Sequence, residues 1–358
     1  MQEFIKCLRA YLKNEKLNKI DDDKDLVNLC LEQSLQTVLY PVYNDKSYKK
    51  YYIGWVVKQE EFFKLQEEIT NIFNLNNIRH IYFKGSVLAK IYDDPAVRTR
   101  GDIDVYVSSE DLDKAKKVLI DGGFIFEPGD SMHDIHFMKN GIEIELHFNM
   151  IESDADREWI KLLANPFELA DNVDKSLYEF KPTYHFIYCL MHFANHLRFG
   201  AGFRYLLDFY YMFEKTAIDF ELLHKHINEC NLIRLYSNVI NALRTVFDKD
   251  YDSSITIEEV DFFIDYLKKY GVHGNSHNES TMNASKRKHK FRLIISRIFL
   301  TEKNYRLMRF PKMGKHLYLY PIMIIIHWPY LLTHKMKSFI GLVFGKNKNK
   351  DLYKKLGI

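Results

Sequence analysis

The chain has 358 residues, 47% of them hydrophobic and 28% charged, with a formal net charge of +3. That much apolar material excludes global disorder and suffices for two or three domains of roughly 100–200 residues each. The near-neutral balance gives little support to nonspecific nucleic-acid binding.

Aromatic residues, 24 Tyr and 26 Phe, are spread along the chain as packing material and form no localised stacking platform. Cys7, Cys30, Cys189 and Cys230 lie far apart without a CxxC pair, which points to a reducing compartment rather than a disulfide framework or zinc knuckle. The opening MQEFIKCLRAYLKNEK is too charged for a signal peptide. The longest apolar run, Tyr318 to Leu332, is interrupted by His327 and two prolines and falls short of a span of about 18 residues. A soluble cytoplasmic protein with no transmembrane segment is expected.

Residues 1–75 read as an N-terminal helical region. Phe4, Cys7, Leu8 and Tyr11 recur at helical spacing, as do Leu26, Leu29, Cys30 and Leu35, and Trp55 to Phe73 is a further amphipathic stretch ending at the turn Asn76-Asn77. Over 76–155 the period changes. Ile81 and Phe83 mark a strand, Val87, Leu88, Ile91 and Tyr92 one side of a short helix, and Ile103, Val105 and Val107 alternate with Asp102, Asp104 and Tyr106. Ser108 or Ser109 then caps a helix stopped by Gly122-Gly123. Asn140-Gly141 between two alternating runs predicts a hairpin that pairs Met138 with Glu143, His136 with Glu145 and Asp134 with His147. Residues 156–270 return to helices, including Thr183 to Phe199 and Phe203 to Phe213. Gly271 to Asn283 is a polar, turn-rich loop, and 284–358 form a basic, partly apolar helical C-terminal region.

The chemistry concentrates between Ile81 and Val107. Gly85 lets backbone approach a phosphate, Ser86 offers a hydroxyl, and the helix that follows presents N–H groups and its positive end. Lys84, Arg98 and Arg100 add positive charge opposite a triphosphate. Taken alone, Gly85 is equally compatible with a tight strand-to-helix turn. Asp102 and Asp104 stand two apart on a strand, so both carboxylates project from one face at a spacing that can share one or two Mg²⁺ ions. The hairpin gathers Asp134, His136, Glu143, Glu145 and His147 on one face. That face is either wet or turned toward Asp102 and Asp104. In the second case Glu145, with Glu143 behind it, is the third carboxylate, as metal ligand or general base.

The series Lys84-Gly85-Ser86, then Arg98-x-Arg100-Gly101-Asp102-Ile103-Asp104, then Ile144-Glu145-Leu146-His147 resembles the nucleotidyltransferase superfamily related to DNA polymerase β. Within it, the pattern is similar to a bacterial group called simply nucleotidyltransferase family proteins. The resemblance covers about residues 75–150. It implies an α/β (α+β) fold with a small mixed sheet and flanking helices. It also implies Mg²⁺-dependent transfer of a nucleoside monophosphate from an NTP to an acceptor hydroxyl, with release of pyrophosphate. Asp102, Asp104 and Glu145 would be the catalytic and metal-binding residues, and Lys84, Gly85, Ser86, Arg98 and Arg100 the nucleotide-binding ones. The acceptor, whether small molecule, protein or RNA, is not legible. Two other classes fit the same residues: an inactive nucleotide-binding or scaffold protein, and a toxin-like transferase acting on tRNA or protein.

Three further features stand outside that pattern. His192 and His196, one helical turn apart, either pack or line the cleft beside the NTP, and no third zinc ligand is evident. Arg204 is spaced to pair with Asp208 on its helix, or, with Arg198, to reach the triphosphate across the Gly200-Ala201-Gly202 corner. The runs Lys286 to Lys290 and Lys346 to Lys350 beside Tyr318 to Leu332 suit a weak membrane-surface or RNA contact, though such runs are commonly solvated faces and the apolar stretch a buried helix broken at Pro329.

Overall fold

A computed structural model of the chain describes residues 1–128, 131, 133–152, 155–198, 200–271, 298–301, 306, 310, 313, 316–334 and 350–358. Residues 1–273 with 356–358 form one compact unit, and 274–355 another.

The larger unit opens with α1 (Gln2–Leu12), α2 (Lys24–Glu32), the short α3 (Leu39–Tyr43) and the long α4 (Lys49–Leu75). Then come β1 (His80–Tyr82), α5 (Gly85–Ile91), β2 (Asp102–Val107), α6 (Leu112–Asp121), β3 (Ile125–Glu127), β4 (Asp134–Lys139) and β5 (Ile142–His147). After α7 (Arg157–Leu162), a hairpin of β6 (Ala170–Asp174) and β7 (Leu177–Phe180) precedes α8 (Pro182–Leu197), α9 (Phe203–Lys215), α10 (Phe220–Glu229), α11 (Ile233–Phe247) and α12 (Asp261–Tyr270). The expected α/β class with flanking helices is what the chain adopts.

The strands form one seven-stranded mixed sheet in the order β3-β4-β5-β2-β1-β7-β6. The Asn140-Gly141 turn, with φ of 53° and 73°, sets the expected register: Met138 opposite Glu143, His136 opposite Glu145, Asp134 opposite His147. Two strand pieces are absent from the sequence reading. β3 is too short to show a period. The β6–β7 hairpin turns at Lys175 (φ 44°) and seats β7 parallel to β1, a non-local pairing that local pattern does not encode.

Period two then decides what each face meets. Ile103, Val105, Val107, Phe137, Ile142, Ile144 and Leu146 go inward against Phe62, Leu65, Ile69 and Phe73 of α4 and Ala115 and Leu119 of α6. The opposite face carries Phe83, Asp104 and His147. It is covered by α8, whose Tyr188 stands edge-on to Phe83 at 5.3 Å, with His147 on the other side of that ring at 4.9 Å. Helix α8 is buried on nearly every side, as its almost wholly apolar and aromatic sequence requires.

α9 is tied to this assembly by ions. Asp208 accepts from Arg98 Nε at 2.6 Å and from the Tyr92 hydroxyl at 2.7 Å, all three residues buried. Its N-terminus is fixed by Gln33, whose Oε1 accepts the Phe203 N–H at 2.7 Å while Nε2 donates to the Leu267 carbonyl of α12 at 3.1 Å. The expected Arg204–Asp208 pair is not formed: Asp208 turns to Arg98, which comes from a different part of the chain.

In the smaller unit, α13 (Tyr320–His334) runs through Pro329 without the expected break. It is also largely exposed rather than buried, with Ile322, Ile325, Ile326 and Trp328 open to solvent. Gly271 ends α12, while 272–283 of the expected loop, Lys286 to Lys290 and residues 346–349 lie outside the described residues. Among the described residues no helix is long and apolar enough to cross a membrane.

Removing one partner of a buried ion pair strands the other, so Asp208→Ala should lose about 3–5 kcal/mol of stability in urea unfolding. Replacing both partners, Arg98→Met with Asp208→Leu, should recover most of that loss.

Candidate active site

The polar sheet face, α5 and helices α8 and α9 enclose a cavity of about 250 Å³. One wall is acidic. Asp102 and Asp104 emerge from β2, and because β2 and β5 run parallel in register, Glu145 lies directly beside Asp104. Glu143, beside Asp102 by register, instead bonds His136 Nδ1 at 2.7 Å and does not line the cavity. Of the two alternatives for the third carboxylate, the fold brings Glu145 to the wall. The hairpin's polar face is therefore not simply wet.

The rest of the charged lining is basic. Arg100 gives one N–H to Gln66 Oε1 at 3.0 Å and to the Gly85 carbonyl at 3.3 Å, while its Nε and Nη2 are buried with no hydrogen-bond partner. Its guanidinium rests on the Phe62 ring at 4.3 Å. Arg204 donates to the Thr99 carbonyl at 3.2 Å and leaves its Nε unpartnered. Among the described residues neither guanidinium has a carboxylate within salt-bridge reach. Arg98 also lines the cavity, but Asp208 neutralises it. Arg204 completes the set because α9 swings it over the cavity; only its place beside the Gly200–Gly202 corner hinted at this. Arg198 does not line the cavity.

Between the walls stands Lys84. Its backbone is left-handed (φ 49°, ψ −131°), a strained state for a side-chain-bearing residue. Its N–H donates to His185 Nε2 at 3.2 Å, and its ammonium sits 2.7 Å from Asp104 Oδ1 and 4.0 Å from Glu145 Oε2. Gly85 packs closely: a Cβ there would meet Arg100 Cβ at 3.3 Å, a tight contact, with Arg98 Nη1 at an ordinary 3.6 Å. Ser86 is placed differently from expectation. It is fully buried off the cavity, and its hydroxyl accepts the Asp104 N–H at 3.0 Å, locking α5 to β2. The second and third N–H groups of α5 are likewise spent, Ser86 on the Phe83 carbonyl and Val87 on that of Lys84.

These positions spread the protonation states apart. Burial opposes ionisation of Asp104, yet Lys84 and the His147 imidazole hold its carboxyl well below the ordinary range. Burial likewise works against the Lys84 ammonium, but Asp104, Tyr188 and Glu145 raise it well above its usual value. Among the described residues Asp102 has no hydrogen-bond or ion partner of its own. Burial, then the charges of Asp104 and Glu145, push it up to about 7. Burial and Arg98 push Arg100 down to about 9. His192 and His196 line the cavity with ring centroids 4.3 Å apart. Burial keeps both neutral, His196 at about 4 with Lys84 adding to the effect.

An under-neutralised group of hard oxygens is a donor set that fits a divalent cation. Asp104 and Glu145 have ligand atoms close enough to hold one ion, together with His147. Asp102 completes the acidic wall from the neighbouring strand position.

Residues 26–248 match the model of a family described as uncharacterised nucleotidyltransferase, a match over more than half of the chain. The chain belongs to that family. No curated protein and no solved structure matches it.

Asp102 holds its proton to about pH 7 when folded and only to about pH 3.9 when unfolded. The folded state therefore binds more protons between those values, and this group's contribution to stability falls as pH rises through them. In metal-free buffer, Asp102→Asn should match wild type near pH 4 and exceed it by about 2–4 kcal/mol at pH 8. Paired thermal melts across that range check it.

Proposed function

We propose that the protein transfers a nucleoside monophosphate from an NTP to an acceptor hydroxyl, with release of pyrophosphate, in the manner of polymerase β-like nucleotidyltransferases. The observation that carries this reading is one cavity lined by both kinds of charge. Three carboxylates, Asp102, Asp104 and Glu145, share it with two guanidiniums, Arg100 and Arg204, in which Arg100 Nε and Nη2 and Arg204 Nε are buried without a hydrogen-bond partner. A buried guanidinium left short of acceptors is costly, and a polyphosphate supplies those acceptors.

Asp102, Asp104 and Glu145 would hold Mg²⁺, which when bound neutralises phosphate charge and favours the ionised acceptor hydroxyl. The residues do the rest. Arg100 and Arg204 take the phosphate oxygens, and the missing side chain of Gly85 lets the chain approach them. Arg98 takes part by position only, since its charge is spent on Asp208. Lys84 moves its charge with the substrate: its ammonium leaves the acids for the phosphates as the site fills. Ser86 keeps β2 and α5 in place. Glu145 takes the proton from the attacking hydroxyl, and neutral His192 and His196 wall off water without adding charge. The inactive-scaffold alternative would rest on a weak third carboxylate, and the in-register place of Glu145 beside Asp104 speaks against it.

Calorimetry with each NTP and Mg²⁺, followed by a pyrophosphate-release assay with labelled NTP and whole-cell extract, tests the proposal. Label transferred to a small molecule, RNA or protein identifies the acceptor class, including a toxin-like target. NTP binding without pyrophosphate release favours the scaffold reading, and no binding at all removes both. In the active protein, Asp104→Asn should cut the rate at least ~100-fold, and Arg204→Gln should weaken NTP binding about 10-fold or more.

A further inference from the structure

His147 has two faces. Nε2 points to the catalytic wall, 3.3 Å from Asp104 Oδ1 and 3.3 Å from Glu145 Oε2. Nδ1 points the other way, into the fold. It is buried, on a residue 2% exposed, and has no hydrogen-bond partner. Asp134 Oδ2 lies 3.8 Å away. A proton on Nδ1 would not reach that oxygen as a hydrogen bond. A bare lone pair there would face a carboxylate across an unfilled gap. Either way a buried polar atom is left unsatisfied, which is unfavourable.

The surroundings are built. Hairpin register sets Asp134 opposite His147. His133, one residue before β4, brings Nε2 to 2.9 Å from the same Asp134 Oδ2. The ligand atoms of all three side chains lie within 4.8 Å of one another. Each is also held from behind: His133 Nδ1 by Ser131 Oγ at 3.1 Å, Asp134 Oδ1 by His136 Nε2 at 3.1 Å, and His147 Nε2 by the catalytic acids. That is the outer-shell pattern of a metal-ligating imidazole, with its second nitrogen fixed by a hydrogen-bonding group. Ligands of a tetrahedral ion at 2.0–2.1 Å stand about 3.3 Å apart, and the contacts of 2.9 and 3.8 Å bracket that value.

We propose that His133 Nε2, Asp134 Oδ2 and His147 Nδ1 bind a divalent transition ion of the zinc type. Two imidazoles and one carboxylate select such an ion over Mg²⁺, which prefers oxygen and dehydrates reluctantly. A second cavity of about 210 Å³, lined by His133, His147, Met150, Glu152 and Lys84 among others, gives water and the ion a route in. The ion fixes His147 with its hydrogen on Nε2, so that the ring donates to Asp104 and Glu145. It is a positioning site behind the catalytic wall, and it stands independently of what that wall transfers.

The test uses the full chain, stripped with chelator and titrated with Co²⁺ in saturating Mg²⁺ without nucleotide, followed by visible absorption. One Co²⁺ per chain with the strong bands of a low-coordinate ion is expected, displaced by Zn²⁺ and not by further Mg²⁺. His133→Ala should weaken binding ~10-fold or more, His133→Cys should retain it and add a near-ultraviolet thiolate-to-metal band, and Asp102→Asn should leave it unchanged. No stoichiometric Co²⁺, ready displacement by Mg²⁺, indifference to His133→Ala, or equal loss in Asp102→Asn would each overturn the proposal. Should His133→Ala not fold, a folded His133→Cys that binds no Co²⁺ does the same.

Discussion

The site depends on one ammonium group held among acids. Lys84 lies 2.7 Å from Asp104 and 4.0 Å from Glu145 on a face that the fold buries. Without a cation there, three carboxylates would share one low-dielectric wall, and their repulsion would oppose the covering of that face. The strained backbone at Lys84 follows from the same demand. Lys84 lies between β1 and α5, and with φ of 49° its side chain reaches Asp104 of β2. Conformational strain of about 1–3 kcal/mol persists only where the surroundings over-determine it. Here the His185 contact to the backbone and the Asp104 contact to the side chain do so together.

The ammonium also divides the acids into two kinds. Asp104 is committed, ionised by Lys84 and His147 and anchored through its own N–H to Ser86. Asp102, one strand period away, receives no such partner and is pushed up to about 7 by burial and by the charges of Asp104 and Glu145. Adjacent groups whose environments drive them apart in this way make the pair a candidate site. The arginines follow the same logic. Arg98 is neutralised by Asp208 and serves the fold, whereas Arg100, two residues on, is left with donors to spare.

What the sequence made legible was what local period and turn chemistry encode. Two-residue alternation placed Asp102 and Asp104 on one face, and Asn140-Gly141 set the hairpin so that Glu145 and His147 shared a side. The parallel pairing of β2 with β5, which brings Glu145 beside Asp104, needs contacts over about 40 residues and was available only as one of two alternatives. What stayed hidden is non-local in every case. Ser86 looked like a phosphate donor because a Gly-Ser turn exposes a hydroxyl in isolation, but the start of β2 takes that hydroxyl as an acceptor. Arg204 looked like the partner of Asp208 because they stand one helical turn apart. Arg98, arriving from more than a hundred residues earlier, makes the shorter and more buried contact. The unbroken passage of α13 through Pro329 is a reminder that proline is a probable helix boundary only.

The diversion of Asp208 has a consequence for how the cavity is assembled. By drawing Asp208 to Arg98, the fold ties α9 to the segment before β2 and leaves Arg204, one turn earlier, without the acid that stands one turn away on its own helix. A local pair would have given a self-satisfied helix surface worth a few tenths of a kcal/mol. The long-range pair instead gives a buried junction and an uncompensated guanidinium that points at the cavity. The cationic wall is thus a by-product of the contact that closes the site. Covering the acids and supplying the charge that opposes them are one structural act, performed by Asp208 on one side of α9 and Arg204 on the other end of the same turn.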